Sequence, residues 1–362
     1  MLYEIAITII PGIGDILAKK LIAWCGSVEG VFKEKKTHLM KIPGIGQTLA
    51  EIIKSADVLQ RAENEAEFIN KYKIQTYFYL EKNYPQRLKN CIDSPVMLYY
   101  KGNAHLNHPK IISIVGTRSA TDYGREICRQ LVSGLVSSDV MVVSGLAFGI
   151  DACSHKAALD HELKTVAVLA HGLDRIYPYV HKSLAGKIIQ NGGLITDFMS
   201  GTNPDRENFP KRNRIIAGLS DATVVVEAAK KGGALITAEI ANSYNRDVFA
   251  VPGRINDSFS EGCNYLIRTN RAALVQSADD ICEMLGWQVK SKTAVSRQKK
   301  LFITLSPEET AIVDLLRENG ESSLNFICNR CEIASSKVAA ALLNLEFEGV
   351  VSCLPGKMYK LL

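Results

Sequence analysis

No run in this chain approaches the roughly 20 consecutive apolar residues that a membrane-spanning helix needs, although apolar residues make up 47% of its 362 positions. The apolar start Ile5–Ile10 runs straight into Pro11-Gly12 and follows Glu4 rather than a basic segment, so it does not read as a signal peptide. A disulfide framework is missing as well. The nine cysteines are scattered from Cys25 to Cys353 in odd number and uneven spacing, the usage of a reducing compartment. A cytoplasmic protein is expected. Cys328-x-x-Cys331 has no second Cys or His pair nearby, and zinc takes about four ligands. The pair reads as two small residues on a short helix, and no metal is expected. Charge of one sign is also scarce: 43 Lys and Arg against 38 Asp and Glu leave +5, too little to announce a polyanionic partner. Lys290, Lys292, Arg297, Lys299 and Lys300, with no acid among them in 288–300, account for the whole excess. The rest of the chain is neutral, so any anion site must be made by local placement.

The length predicts two or three domains. Ile10-Pro11-Gly12-Ile13-Gly14-Asp15-Ile16-Leu17-Ala18 recurs as Ile42-Pro43-Gly44-Ile45-Gly46-Gln47-Thr48-Leu49-Ala50, each copy leading into a helical pattern. Residues 1–73 therefore read as a small all-helical domain of two related units. Residues 75–105 are aromatic and read as irregular, with turn signals at Tyr84-Pro85 and Ser94-Pro95. From Lys110 the pattern becomes β/α. Short apolar runs at Ile111–Val115, Val140–Val143, Thr165–Leu169, Leu194–Thr196, Thr223–Val226, Val248–Val251 and Ala273–Val275 alternate with helical stretches. Such runs imply a parallel sheet covered on both faces, an extended Rossmann-like α/β layer over 74–287. The basic stretch 288–300 reads as a linker. Residues 301–362 carry three helices, the first opened by Ser306-Pro307-Glu308-Glu309, and a terminal hairpin around Pro355-Gly356, which suggests a winged helix-turn-helix.

The chemistry gathers at strand ends. Ile111–Val115 runs into Gly116-Thr117-Arg118. A glycine there lets the backbone approach a ligand, a following helix start offers free N–H groups to an anion, and Arg118 supplies a forked cation suited to phosphate. The bland alternative is a tight turn with a solvated Arg. The dinucleotide pattern GxGxxG and its ribose-binding acid are absent, and no cofactor is expected. Val142-Val143 runs into Ser144-Gly145-Leu146-Ala147-Phe148-Gly149-Ile150-Asp151, a second phosphate-sized cradle. Asp151 would repel phosphate and reads as a helix cap or a partner for a nearby cation. His155 shares its helix face, whereas Cys153 and His155 are two apart and do not read as a nucleophilic pair. The third strand ends at His171-Gly172-Leu173-Asp174, with Tyr177-Pro178 and Lys182 following. Lys211, Arg212 and Arg214 then precede an apolar helix. They suit either ion pairs with Asp151, Asp197 or Glu227, or phosphate contact. Gly232-Gly233 open another helix start able to take an anion.

Val115-Gly116-Thr117-Arg118, Ser144–Asp151, Gly172-Leu173-Asp174 with Tyr177-Pro178, Arg212–Ser220, Gly232–Ala238 and Val251-Pro252-Gly253, in that order, resemble the motif set of the DNA-processing protein A (DprA, or Smf) family over residues 75–285. The resemblance implies an extended Rossmann fold that binds single-stranded DNA, forms a homodimer and loads the RecA recombinase during natural transformation. It implies DNA contact by Arg118 and by the basic position after Tyr-Pro, for which Lys182 is the nearest match, because Tyr179, Val180 and His181 replace a more basic segment. Gly116, Thr117, Ser144, Gly145, Gly149, Lys211, Arg212, Arg214, Gly232 and Gly233 complete the expected DNA-binding set, with no catalytic residue. Phe148 and Phe209 are the aromatics available to stack on bases. The Pro-Gly-Ile-Gly units resemble helix-hairpin-helix motifs, which implies phosphate contact at Gly12, Gly14, Gly44 and Gly46 or a purely structural role. The C-terminal unit resembles the winged helix found in part of the family. The helix in the reading position, Ala334–Glu348, holds one cation, Lys337, against Glu346 and Glu348, which favours protein docking or weak DNA contact.

Two other function classes fit parts of the chain. A Rossmann-fold nucleotide-processing enzyme of phosphoribohydrolase type also uses Gly-Gly turns, but its Pro-Gly-Gly-x-Gly-Thr-x-x-Glu pattern is absent, and Gly232–Thr237 is a partial echo. A DNA-bound scaffold would act mainly through the terminal domains.

Overall fold

The computed structural model describes residues 1–55, 57–287, 305–354 and 356–361; the basic stretch 288–300 lies outside them. Six helices come first: α1 (Leu2–Ile9), α2 (Asp15–Cys25), α3 (Val28–Lys33), α4 (Lys36–Leu39), α5 (Gln47–Ser55) and α6 (Leu59–Tyr72). The duplicated sequence folds as a duplicated structure. A β-carbon at Gly12 would stand 3.0 Å from Leu49, and one at Gly44 would stand 3.2 Å from Leu17, so the turn of each copy packs on the matching leucine of the other. The second glycine of each copy opens a helix alike, Gly14 O accepting from Ala18 N at 2.9 Å and Gly46 O from Ala50 N at 3.0 Å.

A nine-stranded sheet follows: β1 (Gln75–Phe78), β2 (Met97–Gly102), β3 (Ile111–Val115), β4 (Met141–Ser144), β5 (Thr165–Val168), β6 (Gly192–Thr196), β7 (Ala222–Val225), β8 (Asp247–Ala250) and β9 (Ala273–Leu274), in the order β1-β2-β6-β5-β4-β3-β7-β8-β9. From β6 to β9 every pairing is parallel. The helices between the strands are α7 (Gln86–Lys89), α8 (Asp122–Gly134), α9 (Ile150–Asp160), α10 (Lys182–Gln190), α11 (Asn208–Leu219), α12 (Gly233–Ser243) and α13 (Glu261–Arg268), and α14 (Ala278–Met284) follows β9. One face of the sheet is covered by Ile215, Ile216, Ala234, Ala238 and Leu266, the other by Leu131, Val132, Ala157 and Ile281. Burial on both faces explains why β3 reads as the unbroken apolar run Ile-Ile-Ser-Ile-Val.

The aromatic stretch after residue 75 is not irregular. It supplies β1 and β2, which pair antiparallel with each other and with β6. Met97 and Tyr99 of β2 face the helical unit, while Leu98 and Tyr100 face the sheet core. Both faces are buried, so the polar alternation that marks a half-exposed strand is missing. Tyr100 lies across the glycines of β6 and donates its hydroxyl to Gly192 O at 2.8 Å; a β-carbon on Gly193 would sit 2.3 Å from its ring. The helical unit shares its core with this edge: Ile5, Leu21, Ile45 and Ile69 cluster with Phe78, Val96, Met97 and Tyr99.

The C-terminal unit has α15 (Pro307–Asn319), β10 (Ser322–Ser323), α16 (Leu324–Cys331), α17 (Ser335–Phe347), β11 (Val351–Leu354) and β12 (Met358–Leu361). Ser306 and Glu309 form a reciprocal capping box at the start of α15. Ile312, Leu316, Ile327, Val338, Leu342 and Val351 make the core, and Cys328 and Cys331 lie half-buried against it. Among the described residues, no helix is long and apolar enough to cross a membrane.

Candidate nucleic-acid interface

In an open parallel sheet a ligand site forms at the carboxyl ends of strands where the strand order reverses. Here that point lies between β3 and β7, and it holds a cleft of about 740 Å³. Gly116, Thr117 and Arg118 wall it on the β3 side, Lys231, Gly232 and Gly233 on the β7 side, and Phe209 and Arg212 at its base.

The β3 loop is held from the neighbouring strand. Thr117 N donates to Glu227 O at 2.7 Å, and the buried Glu227 carboxylate accepts from Thr121 N at 2.9 Å and Thr121 Oγ1 at 2.6 Å. Thr121 in turn caps α8, its hydroxyl accepting from Gly124 N. Arg118 is left exposed, its guanidinium 5.4 Å from the centre of the Phe209 ring. Gly149 locks the other side of the loop. Its φ of +76° favours glycine, and a β-carbon there would meet Thr117 O at 2.1 Å. Across the cleft, Gly232 and Gly233 are exposed at the start of α12 with open space around them, which leaves the first N–H groups of that helix free for an anion.

The other expected cradle is filled from within. Ser144 is fully buried and donates to Ile114 O at 2.6 Å. The backbone N–H groups of Gly145 and Ala147 turn to the Asp151 carboxylate. Burial raises that carboxyl above its ordinary range, with Arg212 pulling the other way. A β-carbon on Gly145 would stand 1.9 Å from Arg212 Nη1, so this glycine makes room for an arginine rather than a phosphate. His155 does not join Asp151; its Nδ1 faces Thr165 Oγ1 at 2.7 Å. Cys153 Sγ points to Arg125 O.

The cation run divides three ways. Arg212 is 4% exposed and donates to Val168 O at 2.7 Å; burial pushes it down to about 10 against the pull of Asp151. Asn213 Nδ2 reaches Gly233 O at 3.4 Å. Arg214 turns away from the cleft and bridges Asp15 and Asp197, each at 2.7 Å, with Asp93 O as a third acceptor. Lys211 alone of the three cations is exposed. Glu227, a candidate partner for this run, is committed to Thr121 instead. Lys182 opens α10 outside the cleft wall, its Nζ 5.4 Å from the Tyr179 ring. Arg206 and Lys231, outside the expected contact set, also line the cleft; a lone Arg in a polar loop carries no spacing signal. The Tyr177 wall is set by His171. Burial lowers that imidazole and keeps it neutral, so Nδ1–H donates to Gly172 O and Nε2 accepts from Tyr177 N at 3.2 Å.

The helical unit docks through its first hairpin and through α6. Asp15 accepts from Val96 N at 2.7 Å and Lys19 donates to Ser94 Oγ. Glu65 of α6 accepts from Ser200 N at 2.9 Å. Gly12, Gly14, Gly44 and Gly46 are all exposed.

A family model described as DNA recombination-mediator protein A matches residues 75–286, and one described as the DprA winged helix domain matches 303–357. The chain belongs to the DprA/Smf family. The putative DNA processing protein DprA of Mycobacterium tuberculosis is 39% identical over 273 residues, 75% of this chain and 70% of that protein. Protein Smf of Synechocystis is 34% identical over 99% of this chain and 98% of its own length. Among solved structures, DprA of Streptococcus pneumoniae superposes with a TM-score of 0.68 at 33% identity, covering 78% of this chain and 97% of that one. DNA processing protein A of Helicobacter pylori, whose structure is described as giving a single-stranded DNA binding mode, has a TM-score of 0.54 at 28% identity, covering 59% of this chain and 95% of that one. The match to the first DprA model spans the whole sheet and the cleft, and the winged-helix match spans α15 to β11.

Proposed function

We propose that this DprA-family protein binds single-stranded DNA in the β3/β7 cleft as a non-catalytic recombination mediator. It protects incoming DNA and loads RecA during natural transformation, acting as a cytoplasmic homodimer. The observation that carries the reading is the exposed guanidinium of Arg118 beside the Phe209 ring, facing an open helix start at Gly232-Gly233. A cation, a stacking surface and free N–H groups are what a phosphate and its base require. Gly116, Thr117, Arg118, Gly232 and Gly233 form the contact set, with Lys211, Lys231 and Arg206 as further phosphate partners. Ser144, Gly145, Gly149 and Arg212 act beneath it by shaping the walls, and Arg214 by holding the helical unit. Lys182 and the Gly12, Gly14, Gly44 and Gly46 turns of the Pro-Gly-Ile-Gly hairpins lie outside the cleft wall and are further phosphate contacts of the same strand.

A gel shift comparing single- and double-stranded oligonucleotides across a salt series, with and without RecA, tests the reading. Arg118→Ala is expected to weaken single-strand binding and lower the log–log salt slope by about 0.7, one phosphate's worth. An unchanged affinity and slope would remove Arg118 from the site. Release of a base from nucleoside monophosphates would replace mediation by catalysis.

A further inference from the structure

We infer that the strand leaves the cleft over Tyr177 and continues onto a track formed by the rings of Tyr179 and Phe148, with Val180, next to Tyr179 in sequence, exposed beside them, at the head of the groove between α9 and α10. This rests on the cleft reading above and extends it. Large apolar side chains are seldom left in solvent together without a partner. Here Tyr177 is 49% exposed, Tyr179 74%, Val180 69% and Phe148 48%. Tyr177 ties this stretch to the cleft, two residues before Tyr179. Tyr177 lines the cleft and its ring lies 6.1 Å from that of Phe209. Phe148 rests 5.1 Å from the His181 ring, and with Val180 it opens a groove of about 1000 Å³.

The occupant is chosen by chemistry. Lys182 sits over the Tyr179 ring, and Lys156 and Lys187 line the groove beyond Phe148. Aromatic faces alternating with cations suit a single strand, whose bases stack and whose phosphates seek positive charge. A protein partner with an apolar face would use the rings but not the lysines. Asp160 and Glu162 line the same groove; they lie at the C-terminal end of α9 and just beyond it, the end opposite Phe148. They would repel phosphate there, so the track is short and ends before them. Its rings are sequence-tolerant stacking surfaces, because every base has a π-face.

The test measures binding of the full-length protein to oligodeoxythymidylates of increasing length. For the wild type, affinity should keep rising after the cleft is filled. Tyr179→Ala and Phe148→Ala should leave the shortest bound oligomers unaffected and cost about tenfold each on longer ones, without changing the salt slope. Tyr179→Phe should restore the affinity. Lys182→Ala should lower the slope, by about 0.7, on long oligomers only. Equal loss at every length, or no loss at any length, would overturn the track. Conversion of a dimer to a monomer by Tyr179→Ala, read by light scattering, would overturn it too and make the ridge a contact between copies. Failure of the wild type to bind any oligomer would sink the cleft reading itself, whereas the outcomes just named sink only its extension.

Discussion

Arg214 separates two accounts of the same basic run, and replacing it tells them apart. The guanidinium is 17% exposed and bonds Asp15 and Asp197 at 2.7 Å each, Asp197 being 10% exposed. Burial opposes its charge, but the two carboxylates overcome this and hold it above its usual value. Arg214→Met removes the positive partner and leaves two carboxylates facing each other, one of them buried with Oδ1 already unpartnered. Breaking a buried pair in this way costs about 3–5 kcal/mol, or roughly 6–20 °C in Tm at about 2–4 °C per kcal/mol for a body of some 200 residues. The loss should depend on pH with a definite sign. Burial already raises Asp197 in the wild type, and without Arg214 it rises further. A carboxyl raised above its unfolded value gives stability that is present below the unfolded pKa and lost as pH rises through the folded one. The deficit of the variant should therefore be full at neutral pH and shrink as pH falls toward 4, about the unfolded value. Thermal unfolding by circular dichroism, run beside oligonucleotide binding at a temperature where both proteins are folded, reads both quantities. Binding should survive, because Arg214 does not line the cleft. An unchanged Tm with weakened, less salt-dependent binding would refute the clamp and return Arg214 to the phosphate site.

Glu227→Ala should cost about 1–3 kcal/mol, the penalty for leaving the Thr121 donors unmet, and should weaken single-strand binding by releasing the Arg118 loop. Glu227→Gln can still accept from Thr121 N and should restore both, which unfolding and binding curves would show; a defect as large in Gln as in Ala would mean that charge, not shape, matters there. Gly145→Ala should lower stability by about 1–3 kcal/mol, because its β-carbon would drive Arg212 from its place. A stable Gly145→Ala protein would show that Arg212 is free to move, and with it the base of the cleft.

The duplicated hairpins, the parallel strands, the capping box at Ser306 and the glycine loops after β3 and β7 were legible because each is local. Unbroken apolar runs mark strands buried on both faces, and Pro-Gly or Gly-Gly marks a sharp change of direction. The strands β1 and β2 escaped because Met97 and Tyr99 pack on one core while Leu98 and Tyr100 pack on another, so no alternation survives in the residues. Arg206 escaped because only the folded loop brings it to the cleft wall.

Sequence alone determined the family, the α/β sheet, the flanking helical and winged-helix units, and the set of loops from which a phosphate site could be drawn. What it could not apportion was charge. In Lys211-Arg212-Asn213-Arg214, successive helix positions turn by about 100°, so neighbours in sequence face different surroundings. Tertiary structure sent one cation to solvent, one beneath the cleft and one to the helical unit. It also filled the Ser144-Gly145 cradle with Asp151 while leaving Gly232-Gly233 open. Charge is a property of a residue, but its availability to a phosphate is set by which carboxylates and carbonyls the fold has already placed within reach.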